Sequence, residues 1–112
     1  MIKFKDKTIG LQSLCPQLLL GLMVVEGVFI ANSEEVIITS INDAKHSSGS
    51  SHYRGMGLDA RSKYMTADKY KILEECKEAL GHNPDFYMAL EYEGEDNEHF
   101  HLQYKPKRRD YP

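Results

Sequence analysis

The sequence predicts an α+β domain: a small antiparallel β-sheet with helices packed on one face and an open groove on the other. Three observations carry this. Segment 16–30 repeats apolar residues at helical spacing, segment 67–80 is bracketed by helix start and stop signals, and segment 35–41 is β-branched. Near the C-terminus two alternating runs, 86–93 and 98–104, flank a Gly–Glu–Asp–Asn turn, the pattern of a hairpin. Neighbouring strands joined by a hairpin, with helices elsewhere in the chain, give an antiparallel sheet with helices gathered on one side.

In chain order, Pro16 suits a helix's first turn, where its missing N–H costs nothing. From there Leu18, Leu19, Leu22, Val25 and Phe29 form one apolar face. Leu20, Met23 and Val24 widen it, so this helix is expected to be buried on more than one side. Glu35–Ile41 reads as a strand, Asn42–Ser51 as a polar loop, and Gly55–Arg61 as a second short strand. Thr66 is the expected N-cap of the second helix, which Gly81 and Pro84 stop. In the hairpin, Phe100, Leu102 and Tyr104 share one face with Phe86, Met88, Leu90 and Tyr92 of the partner strand. His99, His101 and Gln103 share the other, beside Tyr87, Ala89, Glu91 and Glu93. That second face, with two imidazoles beside two carboxylates, is the candidate site.

Bulk properties narrow the function. One domain of 112 residues, 41% hydrophobic and 28% charged, has an ordinary globular composition. A net charge of −3 gives no reason to expect nucleic acid as partner, and the basic run Lys105–Arg109 follows the last apolar run as a solvated end. Leu18–Ile30 is too short, and too interrupted by Glu26 and two glycines, for the ~20 residues that a membrane span needs, so no membrane insertion is expected. The opening Met1–Lys7 lacks the apolar core of a signal peptide. Cys15 and Cys76 show no ligand spacing and read as reduced thiols, which fits a cytosolic origin.

Four of the five histidines fall in two clusters: His46 and His52 in one, His99 and His101 in the other. His52 and Asp59 stand seven apart, with Gly55 and Gly57 between them allowing close backbone approach. With His101 they offer two nitrogens and one carboxylate, the three protein ligands of a catalytic zinc site that leaves a fourth position open. The same donors also suit Fe(II), but the HxD spacing common in iron oxygenases is absent. A nearby carboxylate is then needed to take a water proton and deliver it to the leaving amine. His46 and His99 are candidates to steady an oxyanion or a substrate carboxylate, and Arg61 reads equally as a contact for an acidic peptide or as a surface arginine. His82, in a helix-ending Gly–His–Asn–Pro, is expected to face solvent.

The stretch Ser51–His52–Tyr53–Arg54–Gly55–Met56–Gly57–Leu58–Asp59 resembles the Ser-x-His-x-x-Gly-x-Ala-x-Asp signature of the zinc D-alanyl-D-alanine peptidase family, with Gly57 where alanine is usual. That family takes in D-Ala-D-Ala carboxypeptidases and dipeptidases, phage L-alanyl-D-glutamate endolysins and, structurally, the Hedgehog signalling domain. Val36–Ser40 resembles the strand that precedes the site in phage members, and Asn97–Tyr104 their closing HxH strand. His46 matches a further active-site histidine of the Hedgehog-like branch. The resemblance covers roughly residues 16–106, with its specific part in about 25 of them.

The resemblance implies a Hedgehog/DD-peptidase-like fold, with Zn2+ held by His52, Asp59 and His101 in the groove. For the general base the carboxypeptidase branch points to Glu98. The Hedgehog-like branch points to Glu91 or Glu93, and strand alternation favours Glu91. The expected activity is cleavage of stem peptides in bacterial peptidoglycan by a monomer. With neither secretion signal nor wall-binding module, a phage endolysin is favoured, resident in the host cytoplasm until released to the wall. The alternative from another class is a binding module that keeps the zinc and has lost catalysis.

Overall fold

The computed structural model describes residues 2–6, 10, 12, 14–42 and 56–106. Their elements in chain order are β1 (Ile2–Phe4), α1 (Pro16–Ala31), β2 (Val36–Asn42), β3 (Gly57–Arg61), α2 (Lys69–Ala79), β4 (Phe86–Glu91) and β5 (His99–Tyr104). The five strands form one sheet in the order β1-β2-β3-β5-β4. Every neighbouring pair is antiparallel except β1 and β2, which run parallel. The sheet is therefore mixed rather than antiparallel, because the N-terminal residues Ile2–Phe4 add an edge strand beside Val36–Ile38 and α1 forms the crossover between them.

One core joins the helices to one sheet face. Leu18, Leu22, Val25 and Phe29 of α1 and Ile72 and Cys76 of α2 pack with Val36, Ile38, Leu58, Ala60, Met88, Phe100 and Leu102. Phe29 meets Phe100 edge to face, with centroids 5.5 Å apart. Gly21 lets α1 approach the sheet: a Cβ there would lie 2.6 Å from the Phe86 ring. Burial pushes the Cys76 thiol up to about 12, so it is an inert core residue; Cys15 is half-buried and also free.

α1 buries one side rather than several. Leu20 and Met23 are 63% and 56% exposed, because both helices lie on a single face of the sheet and nothing described covers α1 from outside. At its C-terminal end Asn32 donates from Nδ2 to Val28 O and to Glu75 Oε1 of α2. The N-cap of α2 is Asp68 rather than Thr66: its carboxylate accepts from the backbone N–H of Tyr70 and Lys71. Thr66 instead donates its N–H and hydroxyl to Glu34. After Ala79 and the C-cap Leu80, Gly81 takes φ 71° and closes the helix, leaving His82 exposed. β4 stops at Glu91 rather than Glu93, because Tyr92 takes φ 54° and leaves the strand, so Tyr92 is exposed and not part of the apolar face.

Of the described helices, none is long and apolar enough to cross a membrane.

Candidate metal centre

The groove face is built row by row across three strands. The register places Asp59, His101 and Ala89 side by side, and next to them Arg61, His99 and Glu91. Strand pleating sends these side chains to the face opposite Leu58, Ala60, Phe100 and Leu102. The expected alternation of β5 and β4 is thus what the sheet has: His99 and His101 on one side, Phe100 and Leu102, each 1% exposed, on the other.

β2 joins this face through a bulge. Ile38 pairs with Ala60 but Ser40 pairs with Asp59, so Thr39 is an extra residue. The extra residue inverts the alternation. Ser40, which strict period two would send into the core with Ile38, lies beside Asp59 and donates its hydroxyl to Oδ2 at 2.8 Å. Ile41 follows Leu58 onto the core.

Asp59 is the hub. His101 Nδ1 lies 2.8 Å from Asp59 Oδ1, and His99 Nε2 lies 3.5 Å from the same oxygen. His101 Nε2 faces Gln103 Oε1 at 3.1 Å, and the Tyr87 ring lies beside the imidazole, centroids 6.1 Å apart. His99 Nδ1–H donates to the Asn97 carbonyl at 2.7 Å, which fixes its tautomer. Its Nε2 then turns toward two carboxylates, Glu91 Oε1 at 3.1 Å and Asp59. Tyr92 flanks the ring at 5.7 Å.

A neutral His99 holding its proton on Nδ1 presents a lone pair to carboxylate oxygens, and acceptor facing acceptor is unfavourable. A metal cation between them resolves the conflict. The hydrogen bond from His101 to Asp59 pulls the same way: it raises the His101 pKa above 6.5, against the opposing effect of burial, with Gln103, the Asp59 charge and Glu91 adding to it. Ligand atoms of Asp59, His99 and His101 all lie within 4.8 Å of one another, and their side chains are 15–18% exposed. Oxygen and imidazole nitrogen are donors that first-row divalent metals accept, and Gln103 is placed as the outer partner that orients a ligating imidazole. The three residues form a group that could hold a metal ion.

Of the residues expected at the site, Asp59, His101, His99 and Glu91 come together. Glu93 lies in the exposed turn beyond β4. Glu98 is engaged elsewhere: its carboxylate accepts from Lys69 Nζ, from Ser62 Oγ at 2.6 Å and from the Gly94 N–H at 2.9 Å. These partners, Lys69 first, hold its carboxyl down at about 2. His46 and His52 lie outside the described residues. Ser40 escaped the sequence reading, while Gln103 was placed on the right face but given no role. Gln103 carried a signal, since it shares parity with His101. Ser40 carried a fainter one: Ile38 and Ile41 both look like core residues, and a spacing of three is out of step with a regular strand.

Compared with protein-family models, with curated proteins and with solved structures, the chain matches none.

Proposed function

We propose that this chain is a zinc-dependent peptidase acting on the stem peptides of bacterial peptidoglycan, of the D-Ala-D-Ala carboxypeptidase or L-Ala-D-Glu endopeptidase type, deployed as a phage endolysin. The observation that carries the reading is the convergence of two imidazoles on one Asp59 oxygen, with Glu91 within 3.1 Å of the second imidazole. The mixed five-stranded sheet with both helices on one face is read as a Hedgehog/DD-peptidase-like fold on the strength of the signature around Asp59.

Asp59 and His101 are ligands in this reading, and the resemblance makes His52 the third. One specific observation favours His99 for that place instead, its Nε2 lying 3.5 Å from Asp59 Oδ1. A zinc ion there supplies Lewis acidity, polarising the scissile carbonyl and acidifying water toward ~7. The remaining work belongs to the chain. Ser40 and Gln103 fix Asp59 and His101 from outside. The Glu91 carboxylate is the base: it accepts the proton that water loses as it attacks, then passes it to the departing amine nitrogen. If His52 is the ligand, His99 serves the oxygen that gains charge only as an imidazolium, since its neutral form keeps the proton on Nδ1. Glu98, ionised and held by three donors, is poorly suited to shuttle a proton.

The test is mass spectrometry of purified peptidoglycan incubated with the protein, with and without chelator. New stem-peptide fragments that disappear on chelation are the expected result, and their masses name the bond. Intact peptidoglycan with zinc bound overturns the peptidase in favour of a binding module without catalysis. Chelator-competition titrations of His52→Ala and His99→Ala then decide the third ligand, because only the ligand's loss should release the metal.

A further inference from the structure

A second cavity adjoins the metal centre and differs from it in charge. It measures about 420 Å³ and shares His99 with the centre; Lys5, Arg61 and Lys63 line it from the end of β1, from β3 and from the turn after β3. Thr39, the bulge residue, also borders it. Two acids lie on its wall, and both are engaged. Glu98 is neutralised by Lys69, which does not line the cavity, and Asp96 pairs with Lys63 at 3.5 Å. Among the described residues Lys5 and Arg61 have no carboxylate partner. The cavity thus offers two uncommitted cations, one of them a guanidinium whose planar fork suits an oxyanion.

Its position sets what kind of anion fits. Arg61 stands two residues beyond Asp59 on one strand and one face, about 7 Å away, and lies directly across from His99. An extended peptide advances ~3.3–3.6 Å per residue. A chain whose carbonyl sits at the metal centre therefore brings a group one or two residues away to Arg61.

We propose that the cavity of Lys5, Arg61 and Lys63 is a carboxylate subsite that seats an acidic residue of a peptide beside the bond presented to the metal centre. Arg61 pairs with the carboxylate, Lys5 adds attraction from the opposite strand edge, and Lys63 is available once Asp96, which is fully exposed, swings away. The choice of a peptide rests on the hydrolase reading of the neighbouring centre; the anion preference rests on the cavity alone.

Binding separates the two. The full chain in excess chelator, where no hydrolysis interferes, is titrated calorimetrically with N-acetyl-L-alanyl-D-glutamate α-amide, which keeps only the side-chain carboxylate, and with the corresponding D-glutamine α-amide, which carries none. The acidic peptide is expected to bind about tenfold more tightly, the margin of one charge-assisted contact over a neutral one. Raised salt should shrink that margin. Arg61→Gln should bring the two peptides within twofold of each other, and Lys5→Gln should narrow the gap less. Lys71→Gln, which removes an exposed charge on α2, should leave the gap unchanged, and melting curves confirm that each variant folds. Equal binding of the two peptides, binding of neither, or a preference that survives Arg61→Gln overturns the proposal. An acid preference lost in Arg61→Gln, together with intact peptidoglycan, keeps the subsite and removes the peptidase; cleavage with no acid preference does the reverse.

Discussion

β5 lies between two environments, and alternate residues of the strand obey different rules. On one side Phe100 and Leu102 are sealed among apolar neighbours, and what matters there is volume: the contribution comes from area removed from water and space filled. On the other side His99 and His101 are held by directed contacts with Asp59, Glu91, Gln103 and the Asn97 carbonyl, and what matters is the position of single atoms. The residues are consecutive in sequence, yet the sheet separates them. One face keeps the chain folded and the other spends that rigidity on holding donors in place. Stability and site chemistry should therefore be separable by mutation on this one strand.

The largest effect should come from Asp59→Asn, which keeps the shape and removes the charge at the hub. In competition with a chelator it should weaken metal binding more than ~100-fold, beyond the range for losing an outer partner, with little change in the urea midpoint. Phe100→Ala should do the opposite. It should cost about 3–5 kcal/mol in urea denaturation, while the protein that remains folded binds metal with unchanged affinity. Equal damage to metal affinity from both variants would show that the two faces are not separable. Gln103→Ala tests the outer partner: metal affinity should fall ~10–100-fold, with the melting temperature nearly unmoved.

The smallest effects are in pH, and they run in opposite directions. Glu98 is held ionised down to about 2 in the folded protein, against 4.5 for the ordinary carboxyl. The unfolded chain therefore takes up a proton first, and this contribution to stability disappears as pH falls from 4.5 toward 2. Melting curves of Glu98→Gln should be flatter across that window than those of the parent. His101 is raised above 6.5, so in chelator-treated protein its contribution is complete below 6.5 and is lost as pH rises through the folded value. His101→Gln should remove that decline.

Both helices and the hairpin were legible because their signals are local: a repeat, an alternation, a turn. The strand β1 was not, since three residues hold no period and their partner lies more than thirty residues along the chain. The outward Leu20 and Met23 of α1 misled because an apolar residue announces hydrophobicity and not the presence of something to cover it. Thr66 was the expected cap, and only the folded chain shows Glu34 claiming the threonine while Asp68 caps the helix. In the site, parity alone brought His99, His101 and Glu91 to one face and kept Glu98 apart from them. It could not weigh His99 against His52, because that choice depends on distances between strands and on residues outside the described chain.

The extra residue in β2 has a consequence for how this site can change over time. Alternation is a two-beat rhythm, and Thr39 is an added beat that moves Ser40 under Asp59 and Ile41 under the helices. Deleting that single residue would leave every other residue in place along the chain. It would straighten the strand without changing its allegiance, because Ile38, Ser40 and Ile41 would then keep the two-beat rhythm unaided: core, groove, core. Thr39 is therefore a residue this strand could lose with its two faces intact, whereas losing Ile38 or Ile41 would take a side chain from the core.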